Sequence, residues 1–189
     1  MRGSVSRLTL TGLLGVLLTL SLAAQADAEF SIRQAQVRGD GEQLRFNAQV
    51  AFAFSEPVLE ALDHGVPLTL VFQLQVRRAD AWLWEESVLD EQRRYTIRYR
   101  PLSQRYEIHR VPRPDGRDFV SRDAAIRALG ELSDQVLMRR DRLDPNTDYV
   151  LQIKVFLDIE ELPLPLRPMA YLTPSWNLSS GWTTWPFKP

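Results

Sequence analysis

Apolar and polar residues alternate along two neighbouring stretches of the chain, from Phe30 to Val37 and from Leu44 to Phe54. Successive side chains of a β-strand point to opposite faces of its sheet, so this period of two predicts half-buried strands. Between the two stretches stands Gly39-Asp40-Gly41, a sequence typical of tight turns. The pattern therefore predicts a β-hairpin over about residues 30–54.

The rest of the chain contains further alternating runs and two short helical patterns. Strands are predicted at about residues 68–76, 95–99, 106–108 and 149–157, a short helix between Ser55 and Gly65, and a longer helix at about 121–132 capped by Ser121. Many strands with one or two short helices favour a mainly β fold. We expect an antiparallel β-sandwich-like domain, with an open barrel as the second choice.

Residues 162–168 combine apolar side chains with three prolines, Pro163, Pro165 and Pro168. Proline cannot donate to the hydrogen-bond ladder of a sheet, and both proline and the residue before it favour extended backbone. The segment therefore predicts that the last strand ends here and that a polyproline-II-like strap follows. This divides the chain into a β-rich domain at 27–162 and a Pro/Trp-rich strap and tail at 163–189, packed on the same domain.

The strap and tail have two interpretations, because three of the five tryptophans fall in the last 14 residues. In the first, the segment covers the open end of the core. In the second, it is a docking surface, since tryptophan and extended proline segments are common in protein interfaces. The candidate contacts of such a surface are Leu164, Leu166, Arg167, Trp176, Trp182 and Trp185.

The N-terminus has the organisation of a secretory signal peptide. Two arginines precede an uncharged, mostly apolar run at residues 8–22, and small residues follow up to Ala28. We expect residues 1–26 to be removed by cleavage after Ala26, with cleavage after Ala28 as the alternative, and the protein to be exported to the periplasm or cell envelope. The apolar run is shorter than the ~20 residues of a spanning helix. An uncleaved anchor is therefore the second choice, and membrane contact is otherwise expected to be peripheral.

Charge and composition exclude several classes of function. The leader contains two of the 23 basic residues and no acidic residue, so 21 basic residues face 24 acidic ones after its removal, a net charge of −3. This balance gives no electrostatic basis for binding nucleic acid. The chain has no cysteine, which excludes thiol nucleophiles, zinc–thiolate sites and iron–sulfur clusters.

The sequence contains no recognisable catalytic or cofactor-binding motif. It lacks the G-x-S-x-G, H-E-x-x-H and P-loop patterns. Its two histidines are distant in sequence: His64 is predicted to interact with the last carbonyls of the short helix, and His109 to be an exposed strand residue. We therefore expect a non-enzymatic protein without a cofactor.

Three carboxylates, Asp158, Glu160 and Glu161, follow the last predicted long strand. They could hold a hard cation such as Ca²⁺, or one of them could act in general acid–base chemistry if burial raised its pKa. The simpler interpretation is a solvated strand end whose charges prevent edge-to-edge pairing. We favour this interpretation, because no histidine, lysine or second acidic pair accompanies the group.

A segment rich in arginine runs from Arg93 to Arg117, with tyrosines interleaved among the basic residues. If residues 101–104 form the loop, Arg98 faces Glu107 and Tyr99 faces Tyr106 across a hairpin. The alternation places most arginines on the face opposite the tyrosines, which predicts a buried tyrosine layer under a solvated charged face. The alternative is a basic surface for an anionic envelope polymer or lipid headgroup.

Four stretches together carry a family resemblance. They are EALDHGVPLTLVFQLQV (60–76), YTIRYRPLSQRYEI (95–108), FLDIEELPLPLRP (156–168) and WNLSSGWTTWPF (176–187). In content and order they resemble the domain of unknown function 4390 family, exported proteins of Gram-negative bacteria. The resemblance implies one exported domain and supplies no catalytic residues. It also implies an association with genes for sensor-kinase systems.

The sequence is thus interpreted as an exported, non-enzymatic module that binds an envelope protein. Two alternatives stay open. One is a binder of a cation or of a small anionic envelope ligand, and the other is a sensor accessory to a two-component system.

Overall fold

The computed structural model describes residues 29–82, 85–112 and 116–189, so the predicted signal peptide lies outside the described residues. The strands are β1 (Phe30–Asp40), β2 (Gln43–Phe52), β3 (Leu68–Arg78), β4 (Leu89–Arg100), β5 (Arg105–Val111), β6 (Gly116–Phe119), β7 (Glu131–Arg139), β8 (Tyr149–Leu157) and β9 (Thr183–Phe187). The α-helices are α1 (Glu56–Asp63), α2 (Arg122–Gly130) and α3 (Arg167–Leu172). Short 3₁₀ helices cover Arg140–Arg142, Ile159–Glu161 and Pro174–Trp176.

The strands form two antiparallel sheets. One has three strands in the order β1-β2-β7, and the other has six in the order β6-β5-β4-β3-β8-β9. The predicted mainly β class with antiparallel sheets is confirmed. The predicted hairpin is also confirmed, with Ala35 paired to Ala48 and Asp40 to Gln43.

The hydrophobic core lies between the two sheets. Phe46 of β2 and Phe72 of β3 are fully buried. The ring of Phe52, at the end of β2, meets that of Phe72 edge to face with centroids 6.3 Å apart. Side chains of β8 alternate between buried and half-buried along its whole length, so its period of two matches the one visible in the sequence. Burial of such large apolar side chains is worth about 1.5–3 kcal/mol each.

The predicted hairpin of the arginine-rich segment is formed by β4 and β5. Arg98 pairs with Glu107 and Tyr99 with Tyr106, as expected from a loop at residues 101–104. The two tyrosine rings are in contact, with centroids 4.8 Å apart.

Helices α1 and α2 begin where the sequence predicts, although their caps differ. Ser121 accepts a hydrogen bond from the Ala124 N–H at 3.3 Å, the expected N-cap interaction. Ser55 makes no such bond. Its hydroxyl instead donates to the main-chain carbonyl of Ser175 at 2.6 Å, so this serine ties the start of α1 to the C-terminal segment.

Helix α2 ends earlier than predicted, at Gly130, and Leu132 belongs to the following strand β7. A Cβ atom on Gly130 would lie 2.1 Å from the main-chain oxygen of Val50. The close approach of α2 to β2 therefore requires glycine at this position.

The predicted polyproline strap is wrong. After the 3₁₀ helix at Ile159–Glu161, a turn closed by a 2.9 Å bond from the Leu166 N–H to the Pro163 carbonyl leads directly into α3. Pro168 lies in the first turn of this helix. There its missing N–H has no intrahelical partner to lose, and its fixed φ suits the helix. Pro168, expected to extend the chain, instead stands in the first turn of a helix.

Candidate functional site

Helix α3 is fixed to the domain by a small buried contact and by hydrogen bonds. Ala170 is its only buried residue, and the small side chain allows close packing. The Arg167 Nε donates to the Leu162 carbonyl at 2.7 Å. Leu162 itself is fully buried, so the base of the helix rests on the core.

The outer side of α3 is apolar and exposed. Of the side chains, Leu164 is 73% exposed, Met169 50%, Tyr171 60% and Leu172 84%. We call these four residues the α3 surface. They lie on one short helix and on the turn before it, and Met169 and Leu172 are three residues apart, as neighbours on a helix are. Clustered exposed apolar side chains mark interaction sites more often than scattered ones do.

The three carboxylates at the strand end lie beside this surface and do not assemble a cation site. Glu160 accepts a hydrogen bond from the Tyr171 hydroxyl at 3.3 Å, and Asp158 accepts one from the Glu160 N–H at 3.1 Å. Asp158 also lies 3.9 Å from the Arg94 guanidinium. In the described part of the chain, no group of three or more His, Cys, Asp or Glu side chains is placed to hold a metal ion.

The tryptophans of the tail differ in their surroundings. Trp176 is 2% exposed and belongs to the core, so it is not part of any accessible surface. Trp185 is half-buried on β9, a strand that pairs antiparallel with β8. Trp182, just before β9, is 44% exposed. Leu166 and Arg167, also candidate contacts, are half-buried at the start of α3.

Sequence reasoning therefore found Leu164 of the α3 surface and missed Met169, Tyr171 and Leu172. The signal was present, because apolar residues follow Pro168 directly. Had Pro168 been interpreted as the first turn of a helix, the next residues would have been placed on that helix.

The arginine-rich segment is mostly occupied in internal contacts. Arg93 is buried, and Arg98 donates to the Gly65 carbonyl at 3.3 Å. Arg100 pairs with Glu107. Tyr95, Tyr99 and Tyr106 are half-buried, so the tyrosine layer is less buried than predicted. Arg113 lies outside the described residues, and Arg110 and Arg117 line a cavity.

The two histidines lie on different elements, His64 directly after α1 and His109 on β5. The His64 Nδ1 lies 2.7 Å from the Glu60 carbonyl oxygen at the end of α1, the predicted contact. His109, predicted to be exposed, is half-buried on β5. Within the described ranges, no His, Cys, Asp and Glu cluster offers the geometry of a metal centre.

The fold and this site define a mainly β protein of two antiparallel sheets with an exposed apolar helix near its C-terminus. The chain belongs to the family described as domain of unknown function DUF4390, whose model matches residues 27–186. The resemblance noted in the sequence is thereby confirmed. No curated protein and no solved structure matches the chain. Over the described residues, no helix has the length and apolar character needed to span a membrane.

Proposed function

We propose that this protein is an exported, non-enzymatic module of the cell envelope that binds another envelope protein through the α3 surface. The observation that carries the proposal is the exposure of Met169, Tyr171 and Leu172 on α3 and of Leu164 on the turn before it, with the helix tied to the core through the bond from Arg167 to Leu162. A rigid apolar helix face is a known way to fill a groove on a partner. Since the helix is ordered before binding, little conformational entropy is lost on association.

The charges beside the α3 surface favour one kind of partner. Glu160 and Glu161 are both exposed, and Glu160 contacts Tyr171 within the surface. An acidic rim next to an apolar patch complements an apolar groove bordered by lysine or arginine. The same rim would be repelled by an anionic lipid surface. The expected occupant is therefore a protein with a basic-rimmed apolar groove.

The proposal of export is based on the leader sequence. Residues 1–26 have the three-part organisation of a signal peptide. The region matched by the family model begins at Asp27, directly after the favoured cleavage position. Both observations support export.

The test places a photoreactive amino acid at position 172 in cells and, as a control, at position 102. Leu102 is also apolar and fully exposed, but it lies in the β4–β5 loop. We expect one envelope protein to be crosslinked from position 172 and not from position 102. In purified form this partner should bind the wild-type chain, lose at least about tenfold in affinity with Leu172→Glu, and keep its affinity with Leu102→Glu.

Three outcomes would overturn the proposal. They are crosslinks of equal strength from both positions, crosslinks at 172 only to lipid, and crosslinks at 172 only to a second copy of the chain. Glu161→Lys tests the rim separately, because it should weaken binding most at low ionic strength. If the partner is the external domain of a sensor kinase, the two-component alternative becomes the specific form of this function.

A further inference from the structure

A polar cleft opens between the two sheets, away from the α3 surface. It has a volume of about 430 Å³ and lies between the β5 and β6 edge of the six-stranded sheet on one side and α2 and β7 on the other. Volumes of roughly 300–1,000 Å³ are usual for small-molecule sites. Its polar lining side chains are Tyr95, His109, Arg110, Arg117, Glu131, Ser133 and Gln135.

Arg110 reaches the cleft with its charge only partly balanced. Its Nη2 lies 3.6 Å from Glu91, longer than a hydrogen bond. The same Glu91 carboxylate is already bound by two nitrogens of the buried Arg93, at 2.9 and 3.0 Å. Glu91 therefore neutralises Arg93 first, which leaves the donors of Arg110 available for another anion.

Arg117 enters the same cleft from β6 and is held by a neutral group. Its Nη2 donates to the main-chain carbonyl of Ala128 at 3.1 Å, at the C-terminal end of α2, and its guanidinium lies over the ring of Phe119. Among the described residues it has no carboxylate within ion-pair distance. The bond to the neutral Ala128 carbonyl fixes the direction of the Arg117 side chain but does not neutralise its charge.

We propose that this inter-sheet cleft binds a small ligand that carries a carboxylate or phosphate group, with Arg110 and Arg117 as its anchors. Guanidinium groups bind both kinds of anion through paired, charge-assisted hydrogen bonds. His109, Ser133 and Gln135 supply further polar contacts around the two arginines. Glu131 is the only carboxylate among the described lining residues, so the two arginines exceed it by one positive charge.

This inference does not depend on the proposed docking function, because the cleft and the α3 surface share no residue. It also narrows the interpretation of the arginine-rich segment. Among the described residues, Arg93, Arg98 and Arg100 are engaged within the protein, which disfavours an extended basic face for a polymer. A concave site with two available arginines suits a compact ligand instead.

The test is a titration of the full mature chain, followed by amide chemical shifts, with inorganic phosphate, glycerol 3-phosphate and acetate as separate probes. We expect saturable shifts that centre on Arg110, Arg117 and Ser133. Arg117→Gln and Arg110→Gln should each weaken binding at least about tenfold. The matched control is Arg105→Gln, which removes the same charge from an exposed position on β5 outside the cleft.

The three probes distinguish the sources of the anion. Saturation by the two phosphates alone identifies a phosphate or phosphate-ester ligand, saturation by acetate alone a carboxylate ligand, and saturation by all three a general anion site. Absence of saturation at about 10 mM, which is tenfold above a Kd of 1 mM, would overturn the proposal. Chemical-shift changes spread over the whole surface would also overturn it, and so would an equal loss of affinity with Arg105→Gln. Because the shift map uses the unmodified chain, a variant that fails to fold leaves the test intact.

Discussion

The guanidinium of Arg93 in the six-stranded sheet donates a 2.6 Å hydrogen bond to the main-chain carbonyl of Val136 in the three-stranded sheet. Arg93 is only 4% exposed, and its guanidinium lies 5.2 Å from the ring centroid of Phe46. Glu91, two residues earlier on β4, balances the charge. One side chain thus joins the two layers through an ion pair, a hydrogen bond and a cation–π contact.

Arg93→Lys should lower the free energy of unfolding by about 1.5–3 kcal/mol, because lysine keeps the charge but cannot reproduce the fork that binds Glu91 and Val136 together. Urea unfolding followed by circular dichroism measures the change. Arg94→Lys is the control, since Arg94 is exposed on the opposite face of the same strand and should change stability by less than about 0.5 kcal/mol. Equal effects of the two substitutions would contradict the bridging role.

Gly130→Ala should destabilise the protein by about 3 kcal/mol or more, because the added methyl group would overlap the Val50 carbonyl and push α2 away from β2. Gly39→Ala is the matched control. The nearest atom to its new Cβ is the end of the Arg140 side chain at 3.7 Å, an ordinary contact. A thermal midpoint for Gly130→Ala close to that of the control would show that α2 can move without cost.

Stability should depend on pH through Glu107. The hydrogen bond from Arg100, at 2.5 Å, is the main reason that the pKa of Glu107 is lowered in the folded protein. A lowered folded-state pKa stabilises the fold above the pKa of the unfolded chain, ~4.3, and the contribution disappears as the pH falls through the folded-state value.

Glu107→Gln should therefore cost about 0.2–1 kcal/mol near neutral pH, the range for a solvent-screened pair, and less as the pH falls below about 4. Urea unfolding at several pH values measures this. Arg100→Gln removes the other partner and should reduce the pH dependence in the same way. A cost for Glu107→Gln that is constant across pH would rule out the ion pair as its origin.

Tyr106 should make a second pH-dependent contribution, in the alkaline range. Its hydroxyl donates to Asp63 at 2.8 Å. Burial and this bond raise the pKa of Tyr106 to about 12. Because the folded-state pKa lies above the unfolded value of ~10, the stabilisation is complete below pH ~10 and is lost as the pH rises towards the folded value.

Tyr106→Phe is expected to lower stability by about 0.5–1.5 kcal/mol at neutral pH and to show a weaker decline between pH ~10 and ~12. Tyr99→Phe, on the neighbouring strand, keeps the ring contact with Tyr106 and serves as the control. Unfolding curves at each pH check both statements. An identical alkaline decline in wild type and Tyr106→Phe would place the titrating group elsewhere.

The leader prediction is tested by the N-terminus of the protein isolated from the periplasmic fraction. Intact mass spectrometry should find a chain that starts at Asp27, with a start at Glu29 as the product of the alternative site. Replacing Ala24 and Ala26 with larger residues should block processing and retain the precursor at the inner membrane. A full-length chain in the soluble cytoplasmic fraction would contradict export.

Strands β1 to β5 and β8 were predictable because each carries a local alternating pattern, whereas β6, β7 and β9 were not predicted. β2 and β8 alternate over nine or ten residues, and the register of β4 on β5 followed from the length of one loop. In both cases residues close in sequence determine the strand or its register, and the packing of the sheets does not override them.

The C-terminal segment was not predictable in the same way. Pro168 is compatible with an extended chain and with a helix start, and burial of Leu162 and Ala170 decides between them through distant contacts. The burial of Trp176 likewise depends on residues distant in sequence. Exposure on the α3 surface could be inferred only once the helix was known, and the cleft around Arg110 required the relative placement of two sheets.

The buried position of Trp176 and the pairing of β9 with β8 have a consequence for how the chain folds. The Ser55 hydroxyl bonds to a carbonyl 120 residues later in the sequence, and the last strand completes the sheet at its edge. Contacts of such long sequence separation form late and slow the folding rate. The core is therefore complete only when Trp176 and β9 are in place, so we expect a chain that lacks them to stay open.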